Sequence, residues 1–134
     1  MMDLFDLKQP SASIEISQVL TILKTVRIRQ AGLPELEIHD ELCTALDKHG
    51  MPYRREYPFG PRCRADLWVD GIVIEVKKQR PARAALLNQL TRYASQPGVR
   101  AIITVLERSI PLPATLNDKP VAIVSLNTLW GIAL

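Results

Sequence analysis

The dipeptide Asp70-Gly71 stands between Arg64-Ala-Asp-Leu-Trp-Val69 and Ile72-Val-Ile-Glu-Val-Lys77, and it leaves this stretch of chain few alternatives. Asp-Gly between β-branched runs is a strong hairpin signal, because a type I′ turn needs positive φ at both central residues. A two-residue loop here sets Val69 against Ile72, Trp68 against Val73, Leu67 against Ile74 and Asp66 against Glu75. Directly opposed residues share a sheet face, with Cβ atoms roughly 4.5–5.5 Å apart. Lys77 falls on the face of Glu75 by strand alternation. The register therefore predicts two carboxylates and a lysine on one patch.

Such a patch is costly in itself. Two like charges about 5 Å apart repel by roughly 1–3 kcal/mol over effective dielectrics from 80 to 20. Protonation of one acid or a cation between them relieves the repulsion. A hard divalent ion such as Mg²⁺ takes one or two carboxylates, keeps several waters and accepts phosphate oxygens. A lysine alongside orients a water and neutralises charge developing on phosphate. The chemistry suggested is metal-assisted phosphodiester hydrolysis. The alternative is a surface hairpin whose Glu75 and Lys77 merely alternate with core residues, and Val73 on the same face argues against it.

Asp66 and Glu75-Val76-Lys77 resemble the signature of the PD-(D/E)XK nuclease superfamily: an acid ending one strand and Glu/Asp-x-Lys on the next. Ala65 stands where the motif's name places proline. The resemblance implies a restriction-endonuclease-like α/β fold, a mixed sheet flanked by helices in the core order αβββαβ. Candidates for each piece run in order: a helix over 34–49, strands near 53–59, 64–69 and 72–77, a helix over 82–95 and a strand at 99–106. An extra N-terminal helix and a C-terminal strand lie outside this core of about 34–106. By the resemblance, Asp66 and Glu75 hold the metal (Mg²⁺, with Mn²⁺ as a substitute), the Val76 carbonyl assists, and Lys77 positions or activates water. Family members often add an acid from the preceding helix. On helical geometry Glu35 is the first choice for it and Glu41 the second.

That helix is expected to start at Pro34 and stop before Gly50, with Ile38, Leu42, Ala45 and Leu46 as its buried stripe. His39 lies on or beside the stripe and reads as a boundary histidine rather than a ligand. The later helix opens at Pro81 and turns Leu86, Leu90 and Tyr93 or Ala94 toward the sheet. Its Gln89-Leu-Thr-Arg-Tyr93 resembles the Gln-x-x-x-Tyr element of RecB-like members, in which both side chains line the active site and contact DNA. The reading without function is a tyrosine anchoring the helix and a glutamine in water. Over 14–30, helical spacing of Ile16, Val19, Leu20, Leu23 and Val26 predicts a further helix, with Ser13 as cap and Gly32 as stop. Its β-branched content leaves a strand open. Val99–Leu106 and Val121–Ser125 read as buried strands joined by a Pro-rich segment.

With 134 residues the chain is read as one domain. Net charge is only +3, but Arg54 to Arg92 holds nine basic residues against four acids. Two of those acids are the candidate metal ligands. This asymmetry fits a polyanionic partner such as DNA. Arg62, Arg64, Lys78, Arg80, Arg83 and Arg92 are the candidate phosphate contacts, with Gln89 and Tyr93 beside them. Aromatic residues make up only 5% of the chain, and Trp130 reads as a packing anchor, so stacking on single-stranded bases is not favoured. Cys43 and Cys63 lack metal-site spacing and fit a reduced, cytoplasmic protein. The N-terminus lacks a secretory pattern, and no apolar run reaches the roughly 18 residues of a spanning helix, so no membrane association is expected.

The reading is thus a Mg²⁺-dependent deoxyribonuclease. The alternatives are a catalytically inactive module of the same fold that binds nucleic acid, or one whose basic face binds a partner protein. Double-strand cutting by so small a domain would call for a homodimer.

Overall fold

Asp70 has φ 48° and Gly71 φ 86°, the pair of positive values that a type I′ bend requires. The flanking strands pair as the turn dictates, Val69 with Ile72, Trp68 with Val73 and Leu67 with Ile74. The structure is a computed structural model and describes residues 13–28, 33–78 and 81–126. Its helices are α1 (Ile16–Leu23), α2 (Glu35–Lys48) and α3 (Arg83–Ala94). Its strands are β1 (Arg54–Gly60), β2 (Cys63–Val69), β3 (Ile72–Lys77), β4 (Ala101–Leu106), β5 (Thr115–Leu116) and β6 (Lys119–Ser125). They form one mixed sheet in the order β1-β2-β3-β4-β6-β5. β1 to β3 run antiparallel, β3, β4 and β6 run parallel, and β5 returns antiparallel to β6.

Helices cover the sheet on both faces. Val19 and Leu23 of α1 and Leu42 and Leu46 of α2 pack with Leu67, Ile72, Ile74 and Ile103. On the other face Leu86 and Leu90 of α3 pack with Val73, Ile102 and Leu106. Each such aliphatic side chain contributes roughly 1.5–3 kcal/mol by leaving water. The buried stripes of α2 and α3 are those expected, with His39 and Cys43 added to the first. β4 is buried at all six positions, as a strand covered on both sides should be.

Three expectations about the elements need correction. β6, expected as a buried strand, is fully buried only at Val124. The N-terminal helix is shorter than its apolar spacing suggested: it is capped at Glu15 rather than Ser13 and ends at Leu23. The Thr25 hydroxyl donates to the Ile22 carbonyl at 2.6 Å, and β-branched Thr25, Val26 and Ile28 favour extended backbone. The end placed at Gly32 lies outside the described residues, as does Trp130. The Pro-rich connection also contains a second hairpin, β5–β6. Asn117 and Asp118 both have positive φ (49° and 62°), making a tight bend without glycine.

β2 does not keep its faces. Leu67 and Val69 belong to the layer under α1 and α2, whereas Ala65 and Cys63, of the same parity, belong to the layer under α3. Regular alternation forbids that, so the strand turns over at Asp66. The ladders agree. β1 pairs with β2 at Arg55–Leu67 and Tyr57–Ala65 but not between them, where Glu56 has φ 51°. The β2–β3 ladder ends at Leu67–Ile74, one step before Asp66 would meet Glu75.

Candidate active site

The turnover in β2 points the Asp66 side chain along the sheet instead of onto the face of Glu75. Its Oδ2 accepts the Val76 N–H at 2.7 Å and so replaces a backbone acceptor of the broken ladder. The expected face-to-face pairing of Asp66 with Glu75 is therefore corrected, because pleat alternation fails at Asp66. The two acids still open onto one surface cleft of about 540 Å³, with Gln89, Arg92 and Tyr93 in its wall. Backbone groups alternate sides along a strand. The Lys77 carbonyl accepts from Glu107 N, beyond the end of β4, at 3.2 Å, so the Val76 carbonyl faces the opposite way, toward the gap at Asp66.

Glu75 is buried beneath α3. Its Oε2 lies 3.3 Å from Lys77 Nζ and accepts from Gln89 Nε2 at 3.2 Å. Gln89 Nε2 also donates to the Tyr93 hydroxyl at 3.0 Å, and that hydroxyl donates to the Arg64 carbonyl at 3.0 Å. Tyr93 is thus an anchor that ties α3 to β2 next to the turnover. Burial first, and the Glu75 charge second, push its phenol up to about 12, so it stays protonated. Burial and the neighbouring Asp66 carboxylate push Glu75 up to about 7, against the opposing pull of Lys77. Asp66 is raised by burial and by Glu35, while the Val76 N–H, His39 and Lys77 pull it down.

His39, expected as a boundary histidine, lies beside two of the candidate acids. It is 3% exposed, and its Nε2 lies 3.7 Å from Glu35 Oε2 and 3.8 Å from Asp66 Oδ2. Glu35 and His39 are one helical turn apart, so α2 presents both to the same point. One ligand atom from each of Glu35, His39 and Asp66 falls within 4.8 Å of the others. Glu41, the second choice for a helix acid, is exposed and outside this group. The available signal was an acid and a histidine four apart on a buried stripe, which a core histidine also produces.

Among the described residues, the buried side-chain atoms without a hydrogen-bond partner are both nitrogens of His39, Glu75 Oε1 and Thr104 Oγ1. His39 belongs to the group with Glu35 and Asp66, and Thr104 is the register neighbour of Glu75 on β4. Leaving such atoms unpaired costs about 1–3 kcal/mol each. An imidazole nitrogen and two carboxylate oxygens within 4.8 Å of one another are a donor set that a divalent cation would accept. Glu35, His39 and Asp66 are the donors closest together, and Glu75 and the Val76 carbonyl flank them.

Of the basic candidates, Arg62, Arg64 and Arg92 line the cleft, while Lys78 and Arg83 do not. Arg83 donates to the Pro111 carbonyl at 2.8 Å. Arg64 lies 3.7 Å from Glu56, and Arg92 donates to the Arg62 carbonyl at 3.1 Å. Arg80 lies outside the described residues. Among those residues no helix is long and apolar enough to cross a membrane. No protein-family model, curated protein or solved structure matches this chain.

Proposed function

We propose that the chain is a divalent-metal-dependent deoxyribonuclease with a restriction-endonuclease-like arrangement of its α/β fold, of the kind the Asp66/Glu75-x-Lys77 pattern resembles. The observation that carries this reading is the break in β2. It spends a ladder position to hold a carboxylate at the mouth of a cleft that also contains Glu75, whose carboxylate Lys77 contacts at 3.3 Å.

Glu35, His39 and Asp66 would hold the metal, with Glu75 and the Val76 carbonyl beside them. The ion's contribution when bound is Lewis-acid polarisation of a phosphate oxygen and a lowered pKa for water. The protein's own groups do the rest. Lys77, held at Glu75, orients the attacking water and offsets charge on the phosphate. Gln89 fixes the Glu75 carboxylate, and Arg62, Arg64 and Arg92 line the approach for the phosphodiester backbone. An imidazole among carboxylates favours a first-row ion such as Mn²⁺ over Mg²⁺.

Plasmid, linear and branched DNA incubated with Mg²⁺, Mn²⁺ or EDTA tests the reading. Cleavage with a divalent ion, abolished by EDTA and lost in Lys77→Ala with DNA binding retained, is the expected result. Binding without metal-dependent cleavage would instead identify an inactive module of the same fold.

A further inference from the structure

The sequence contains only seven aromatic residues, yet the fold gathers four of them into one row. Tyr57 and Trp68 have ring centroids 4.7 Å apart, Trp68 and Phe59 5.2 Å, and Phe59 and Tyr93 5.0 Å. Strand geometry accounts for the row. Tyr57 and Phe59 alternate with Pro58 on β1 and so share a face with each other, and Trp68 projects beside them from β2. At one end the row reaches Tyr93 in the wall of the catalytic cleft. Toward the other end, Trp68, next to the terminal Tyr57, lines a second surface cavity of about 410 Å³ together with Tyr53 and Arg54.

Tyr57, Phe59 and Trp68 are only partly buried, unlike the leucines under α3. Cations flank the row at both ends. The Arg54 guanidinium lies 5.6 Å from the centre of the Tyr57 ring, and that of Arg92 lies 5.7 Å from the Tyr93 ring. Half-open π surfaces bracketed by arginines complement a chain that alternates flat bases with phosphates. A duplex keeps its bases stacked on one another and offers these rings only its backbone.

We propose that the row is a binding track for unpaired nucleotides, so that the substrate of the cleft is DNA with a single-stranded segment. Bases stack on Tyr57 and Trp68, Arg54 takes a phosphate beyond them, and the strand runs past Phe59 to the cleft. This reverses the expectation from composition, which counts aromatic residues without locating them. The inference rests on the nuclease reading for the outcome at the cleft, but the track itself is tested without catalysis.

The test is fluorescence anisotropy with a labelled 15-nucleotide oligo-dT and a duplex of equal length, in EDTA, for the full chain and for Tyr57→Leu, Trp68→Leu and Arg54→Glu. Single strand should bind about ten-fold tighter than duplex or better. Each leucine variant should lose about five-fold or more on single strand and little on duplex. Arg54→Glu, at an exposed position, covers the case in which Trp68→Leu does not fold, and it should also weaken single-strand binding. Equal or tighter duplex binding, or full single-strand affinity in Tyr57→Leu and Arg54→Glu, overturns the proposal. Metal-dependent cleavage of duplex with no preference for single strand sinks the track and leaves the nuclease intact. Selective single-strand binding without cleavage leaves the track and sinks the nuclease.

Discussion

Glu75 is a carboxylate held where a carboxylate is uncomfortable, and its titration should show in the stability of the protein. Burial and Asp66 raise its pKa from 4.5 to about 7, so the folded chain keeps a proton that the unfolded chain releases. Stability therefore falls as pH rises from about 4.5 to about 7 and then levels off. Glu75→Gln removes the penalty. In urea titrations without divalent ions it should exceed the parent by about 2–3 kcal/mol at pH 8, with little difference at pH 4. A parent whose stability is flat across this range would show that Glu75 ionises normally. His39 makes the complementary case, being buried with neither ring nitrogen hydrogen-bonded among the described residues. His39→Gln keeps much of the volume but offers a poorer ligand. Mn²⁺ affinity measured calorimetrically should drop by about ten-fold or more, and an unchanged affinity would remove His39 from the ion's shell.

At the scale of elements, the β2–β3 hairpin is the piece on which the site hangs. Gly71 has φ 86°, and a Cβ there would meet the Gly98 carbonyl oxygen at 2.9 Å, so two separate constraints demand glycine. Gly71→Ala should cost about 1–3 kcal/mol in denaturant unfolding, and a neutral result would mean that the bend relaxes freely. Arg100 fastens the same bend, donating from Nε to the Asp70 carbonyl at 2.8 Å and from NH2 to the Asp70 carboxylate at 3.1 Å. The hairpin register was legible in the sequence because turn chemistry and β-branched flanks agree on it as far as Leu67–Ile74. The helices α2 and α3 were legible for a like reason, since stripe, Pro and Gly coincide in α2 and stripe and Pro in α3. The turnover at Asp66 was not, because patterns of alternation assume a regular pleat. Nor was the approach of His39 to Asp66, because its spacing is that of an ordinary core position. The Asn117-Asp118 bend lacks the glycine that usually signals one, and the aromatic row depends on β1 lying beside β2.

For the whole molecule, a net charge of +3 says little about the cleft, whose lining sets Arg62, Arg64 and Arg92 against Glu56, Asp66 and Glu75. Three arginines line it, and each phosphate neutralised on a single strand adds about 0.7 to the salt slope. A plot of log affinity against log salt should therefore fall with a slope of about −2 on oligo-dT, or about −3 with Arg54 also engaged, and a salt-independent affinity would exclude backbone contact. The sheet itself divides the interior into two apolar layers that share no face. Cys43 is buried in the layer of α1 and α2, and Cys63 in the layer of α3. Their side chains point away from each other across the strands, so oxidation cannot bridge them without dismantling the sheet. Each thiol is a private gauge of its own half of the interior: the rate at which a modifying reagent reaches one sulfur reports when that half breathes, independently of the other.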